Sequence, residues 1–242
     1  MHFHLPKPLH GWRAFAGEVG IIVIGVLIAL GAQQLVENYN SRRQLEDTNR
    51  RLAVEVIGNL RVAHERLIIN QCQKDRIAEL RDQLTAPGSQ WKASTAKFGT
   101  GVYDDVLAPV YRGPSRTFPQ DAWRAAISSG VLNYGGADRV QDISRLYSMI
   151  AAMEAIQTAE ASDAALLGDL AFDGPLSAEG RRDDLKTLSR LNNANAKLVF
   201  FAHELITDAA ISDFALSGRD KEPWLKFQRT FRGSCVVDVP TH

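Results

Sequence analysis

From Val19 to Val36 the chain reads VGIIVIGVLIALGAQQLV, with no charge and, up to Ala32, nothing but apolar residues and glycine. The run is about 18 residues long, at the short end of the roughly 17–25 that a helix needs to cross about 30 Å of hydrocarbon. Phe15, Ala16 and Gly17 extend it towards the N-terminus. Glu18 then lies about one turn inside, close enough to the interface for its carboxylate to reach headgroups. Trp12 stands where an interfacial aromatic anchor belongs. The pattern predicts a transmembrane anchor over 15–36, preceded by a short polar tail, 1–14.

Two other readings compete. A cleaved signal peptide would use Ile21–Leu30 as its apolar core and Gly31–Ala32 as its exit. Glu18, the sparse basic residues Lys7 and Arg13, and the bulky Leu30 before the exit argue against cleavage. A buried core helix would also be apolar all round, but nothing later in the chain is apolar enough to surround it. Within the run, Gly25 and Ala29, and Ala16 and Gly20, form small-x-x-x-small pairs that let two copies approach closely.

The period changes after the run. Between Glu37 and Leu84 there is no proline, and Leu45, Leu52, Val56, Leu60, Ala63, Leu67, Ile77, Leu80 and Leu84 recur at the spacing of one helix face. Arg50, Arg51, Arg61, Glu65, Lys74 and Arg81 fall on the other faces and are read as solvated. Span and stalk together predict a rod of roughly 70 residues, about 100 Å long. Such a stalk can pack within its own domain or pair with a second copy as a coiled coil. Asn70 and Gln71 make the seam too irregular for an extended coiled coil.

Pro87-Gly88-Ser89 ends the rod. Residues 85–119 read as a long loop whose aromatics Trp91, Phe98, Tyr103, Tyr111 and Phe118 argue that it packs on the helices. Thr117 is positioned to cap a short helix with Pro119 in its first turn. Gly130 or Gly135–Gly136 closes it. A long helix follows from about Asp138 to Leu170, with Val140, Ile143, Tyr147, Ile150 and Met153 on one face. After Gly174-Pro175, Ser177 can cap a last long helix carrying Leu185, Leu188, Leu191, Leu198, Ala202, Leu205 and Ala209. Gly218 and Pro223 read as its end. The expected organisation is all-α: a single N-terminal transmembrane helix continuing into an antiparallel helical bundle over 37–217, with an irregular C-terminal tail over 218–242.

Composition narrows the function classes. Lys+Arg and Asp+Glu both total 28, so the net charge is zero and no broad electrostatic case for nucleic acid exists. Cys72 and Cys235 are far apart, which excludes zinc-ribbon and thioredoxin-type motifs. His203-Glu204 and His64-Glu65 begin like a zinc-protease motif. Thr207 and Ile68 occupy the second histidine position, so the chelating pair is missing. Arg61 and Phe200 stand where a di-iron Glu-x-x-His would need its glutamate. Gly99-Thr-Gly101 lacks the surroundings of a phosphate loop, and Ser128-Ser129-Gly130 lacks a nucleophile elbow. His2, His4 and His10 have no carboxylate or thiol beside them to complete a metal site. Asp104–Asp105 and Asp183–Asp184 read as solvating pairs. No catalytic residue, metal or cofactor is assigned.

GEVGIIVIGVLIALGAQQLVENYNSRRQ, running from a Gly-Glu pair through the apolar run into a polar helix, resembles a family of bacterial membrane-anchored proteins catalogued only as a domain of unknown function. DAWRAAISSGVLNY followed by DISRLYSMI is similar to the second landmark of that family. Together the two cover roughly a quarter of the chain. The resemblance implies architecture, since the family has no established activity to transfer. This chain departs from the pattern in its few N-terminal basic residues and its Gly-Ala-Gln-Gln exit.

Orientation is contested within the sequence. Arg42, Arg43, Arg50 and Arg51 after the run outnumber Lys7 and Arg13 before it, which favours a cytoplasmic domain. Long domains translocate largely regardless of such charges, and the resemblance implies a short tail inside. A Cys72–Cys235 disulfide, which persists in the periplasm and rarely in the cytosol, would agree with the periplasmic side. The leading expectation is a non-catalytic interaction or structural component of the bacterial inner membrane. Its partners would be lipid, a second copy or another membrane protein. A ligand-sensing bundle is the alternative, and an enzyme of unrecognised type the third.

Overall fold

The computed structural model describes residues 12–96, 109–212, 214, 218–232 and 235–237. One helix, α1 (Trp12–Thr85), runs unbroken for 74 residues, about 110 Å at 1.5 Å per residue. It carries one segment long and apolar enough to cross a membrane. None of the most apolar window is buried; Ile21 is 73 % and Ile28 66 % exposed. The expected rod is therefore present, and a core-helix reading of its first half is excluded.

The domain is assembled on the second half of α1. After it come β1 (Gln90–Trp91), α2 (Asp121–Ser129), α3 (Ala137–Ala165), β2 (Gly174–Pro175), α4 (Ala178–Ile211) and α5 (Gly218–Arg232). The fold is all-α; β1 and β2 make only a two-residue antiparallel pair, Gln90 opposite Pro175. α3 climbs beside α1, with Tyr147 against Glu55 and Glu160 against Arg66. α4 descends antiparallel to α1, with Asn195 bonded to Asn70. That bond explains the polar interruption of the leucine seam. From Ala63 to Ile69 every residue of α1 is buried, so α1 is the central rod of the bundle rather than one of its walls.

Two apolar clusters hold the rod in place. The larger joins Leu52, Val56, Leu60, Ala63 and Leu67 of α1 to Ile143, Leu146, Ile150 and Met153 of α3 and Leu198, Ala202 and Leu205 of α4. The smaller closes the distal end with Leu80, Leu84, Trp91, Tyr111, Leu167, Leu170, Leu188 and Leu191. Each buried side chain of this size contributes about 1.5–3 kcal/mol relative to leaving it exposed. Ser177 caps α4 as expected, accepting from the Gly180 amide at 3.0 Å.

Several expectations are corrected. α2 begins at Asp121, not around Thr117, and Gln120 at its N-cap makes no side-chain cap bond. Glu55 of α1 supplies the missing acceptors, taking the Ala122 and Trp123 amides at 2.8 and 3.2 Å. A carboxylate from another helix thus does what a local cap would do. The helix expected over Asp138–Leu170 stops at Ala165, and a separate 3-10 turn spans Gly168–Ala171. The Leu170 carbonyl there accepts from Trp91 Nε1 at 2.8 Å and from the Ser94 amide at 3.1 Å, so this turn is shaped by the loop packed on it.

The expected irregular tail is the largest correction. α4 ends at Ile211, and Gly218–Arg232 form a further helix, α5. Pro223 is the sixth residue of this helix, past its first turn, and removes one amide donor from it. Trp224 and Leu225 pack on Ile68 and Ile69 of α1, and that burial is what holds α5. Glu65, expected to be solvated, is buried for the same reason: α5 and the 109–119 segment cover its face.

Candidate functional site

The segment 109–119 is an extended strap with Pro109, Pro114 and Pro119 at every fifth position. Prolines and an extended backbone leave its carbonyls without helix or ladder partners, and buried carbonyls need donors. α1 supplies them from one polar face. Asn59 Nδ2 donates to the Pro119 carbonyl at 2.9 Å, and Arg66 Nη2 to that of Pro114 at 2.9 Å. Gln73 Nε2 donates to the Arg112 carbonyl at 3.0 Å, and Arg76 Nε to that of Val110 at 2.9 Å. Asn59, Arg66 and Gln73 stand seven residues apart, two helical turns each, so they point the same way. The strap runs antiparallel to α1 along this row.

At the centre of the row lies a buried ion pair. Arg66, with no exposed side-chain surface, meets Glu160 of α3 at 2.6 Å. Gln157 Oε1 accepts from the same guanidinium at 3.2 Å, and the Tyr111 hydroxyl donates to Glu160 Oε1 at 3.0 Å. Burial, then the Glu160 charge beside it, pushes the Tyr111 hydroxyl far above the ordinary tyrosine range. It stays a neutral donor. Gly113 passes so close that a Cβ there would lie 2.7 Å from Glu160 Oε2. Glycine is required at this position by close approach, not by backbone angle.

A second buried carboxylate sits one residue away. Glu65 accepts from Arg116 of the strap at 2.9 and 3.2 Å and pairs with Arg232 of α5. One turn of α1 therefore ties down three later segments: Arg66 holds the strap and α3, Glu65 the strap and α5. Cys72, two turns on, is bonded to Cys235 just beyond α5, closing a separation of 163 residues. The Val237 amide reaches the Ile68 carbonyl at 2.9 Å.

Between the strap and α3 lies an open cleft of about 450 Å³, lined by Pro109, Tyr111, Arg112, Ser115, Gln157 and Ala164 among others. Its polar floor is already committed, Glu160 to Arg66 and the Tyr111 hydroxyl to Glu160. The arrangement fastens segments together.

The remaining residues singled out from the sequence are dispersed. Trp12, Glu18, Gly20, Gly25 and Ala29 lie on the free half of α1, and a Cβ at Gly20 or Gly25 would meet nothing within 4 Å. His64 is buried edge-on to Trp224, ring centres 6.2 Å apart, while His203 is exposed. The Ser128 and Ser129 hydroxyls donate to carbonyls of their own helix. Asp183 pairs with Lys186 at 2.8 Å, which lowers its pKa; burial and the nearby Asp169 and Asp183 charges raise that of Asp184. His2, His4, His10, Gly99-Thr-Gly101 and Asp104–Asp105 lie outside the described residues. Among the described residues no group of three or more His, Cys, Asp or Glu could hold a metal.

The spacing of Asn59, Arg66 and Gln73, with Glu55 one turn before, was the sequence signal for the strap's track. Read as polar residues on a solvated face, it passes unnoticed. Compared with known proteins, the chain matches no family model, no curated protein and no solved structure.

Proposed function

We propose that this chain is a single-pass membrane protein of the bacterial inner membrane, retained by residues 15–36, with a non-catalytic helical domain on the periplasmic side. The observation that carries the reading is the continuity of α1. An apolar, fully exposed segment runs without a break into the central rod of a folded domain, so apolar solvent for the first half is what the second half lacks the means to supply. The resemblance of the Gly-Glu-Val…Ala-Leu stretch to a membrane-anchored family supports the same reading.

The Cys72–Cys235 bond supports the side. Closing so long a loop restricts the unfolded chain by about 5 kcal/mol in the entropy model, and such bonds persist in oxidising compartments. Polar residues buried at the centre are spent on fastening the strap, α3 and α5 to α1, which suits an interaction or structural component rather than an enzyme. The cleft beside the strap favours ligand sensing as a second reading. A shift of the thermal midpoint with added small molecules would support it.

Maleimide labelling of intact cells tests the proposal. Labelling should require prior reduction and should then occur without lysis. Thiols that react only after lysis, without reductant, would overturn both bond and orientation.

A further inference from the structure

If residues 15–36 cross the bilayer, as proposed above, α1 also fixes how far the domain stands from it. The apolar run ends at Val36, and Leu45 is where α1 begins to pack on the domain core. Nine residues of unbroken helix span about 13 Å. The headgroup layer fills roughly 5–8 Å of that. What remains is about one side chain long.

The contacts identify what occupies this level. α2 descends along α1 from Glu55, and Ser129 and Val131 end beside Gln44 and Thr48. A Cβ at Gly135 would lie 3.7 Å from Leu45. α3 climbs away from there. α4 stops at Ile211, level with about Val54 by the register of Asn195 on Asn70 and Arg181 on the Leu84 carbonyl. Among the described residues, the turn after α2 therefore lies nearest the end of the span.

That turn is built to present its tip. Gly130 takes the left-handed conformation, φ 68°, and reverses the chain. Val131 and Leu132 then enter the core, while Tyr134 is left 62 % exposed. Lower on α1, Tyr39 is exposed with the Arg43 guanidinium 5.4 Å from its ring centre. Tyrosine, with an apolar body and a polar tip, favours the headgroup layer. A helix tilt near 20° towards the domain would lower the turn a few ångströms further.

We propose that the turn Asn133–Gly136 rests on the headgroups of the membrane that holds α1, with Tyr134 inserted between them. The domain is then seated on the bilayer at two points. Charges at this level are mixed, with Arg42, Arg43 and Arg139 beside Glu37, Glu46, Asp47 and Asp138, so seating does not depend on anionic lipid.

The test uses the full chain reconstituted in phosphatidylcholine vesicles, with a benzophenone amino acid at position 27, 134 or 172 in turn. Phe172 is exposed at the opposite end, near the level of Leu84 and about 60 Å from Leu45. Lipid adducts are expected at 27 and 134 and not at 172. Adducts at 27 but not at 134 would overturn the seating while leaving the anchor standing. No adduct at 27 would overturn the anchor and the seating with it. Equal adducts at 134 and 172 would also overturn it, since the contact would not be particular to the turn.

Discussion

Residues 15–36 and 52–84 belong to one unbroken helix, yet they reverse the ordinary relation between residue type and burial. The first stretch is apolar and exposed; the second carries His64, Glu65, Arg66, Gln73 and Arg76, all buried. The difference is partners. Every buried charge in the second half meets a carboxylate, guanidinium or carbonyl from later in the chain, which offsets its desolvation. Among the described residues no later segment covers the first half, and its apolar surface is left exposed. Burial along α1 is thus decided by what the rest of the chain brings to it.

Breaking the buried pair should have the largest effect. Glu160→Ala strands Arg66 without its counter-charge and should lower the unfolding free energy by about 3–5 kcal/mol. Urea unfolding of the full chain in detergent micelles measures this. The double change Arg66→Met with Glu160→Leu should recover much of it, because neither charge of the pair is then left buried without its partner. Membrane retention should be unchanged in both.

The converse change touches only the first half. Leu27→Arg places a charge near the middle of the span, at an insertion cost of about 3 kcal/mol. The fraction of protein recovered in membranes should fall, while domain unfolding in detergent keeps its midpoint. A fall in both would mean that the two halves are not independent.

Gly113→Ala sharpens the account of the strap. The added methyl has no room beside Glu160, and overpacking costs about 1–3 kcal/mol. The smallest effect is that of pH. Tyr111 has its pKa raised in the folded chain, so its stabilisation is complete below the unfolded value of 10.0. It is lost as pH rises beyond that, at up to about 1.4 kcal/mol per pH unit. Tyr111→Phe should show a correspondingly shallower fall between pH 10 and 11.

Much of the scaffold was legible because it rests on period. The Leu45–Leu84 seam, the Ile143–Met153 face, the Leu188–Ala209 face and the Ser177 cap each follow from local spacing. α5 was not, since Gly218 and Pro223 read locally as a stop. What holds that helix is Trp224 and Leu225 on Ile68 and Ile69, more than 150 residues away in sequence. The strap's track was hidden for a related reason. Glu65 and Arg66 look like solvated charges until the segments that cover them are known, and only tertiary structure brings those segments in.

The most direct measurement is alkaline carbonate extraction of native membranes, followed by N-terminal sequencing of the protein in the pellet. A retained anchor predicts full-length chain in the pellet, with the stretch through Val36 intact. A soluble chain beginning near Gln33 would contradict it, and α1 would then be the rod of a secreted domain.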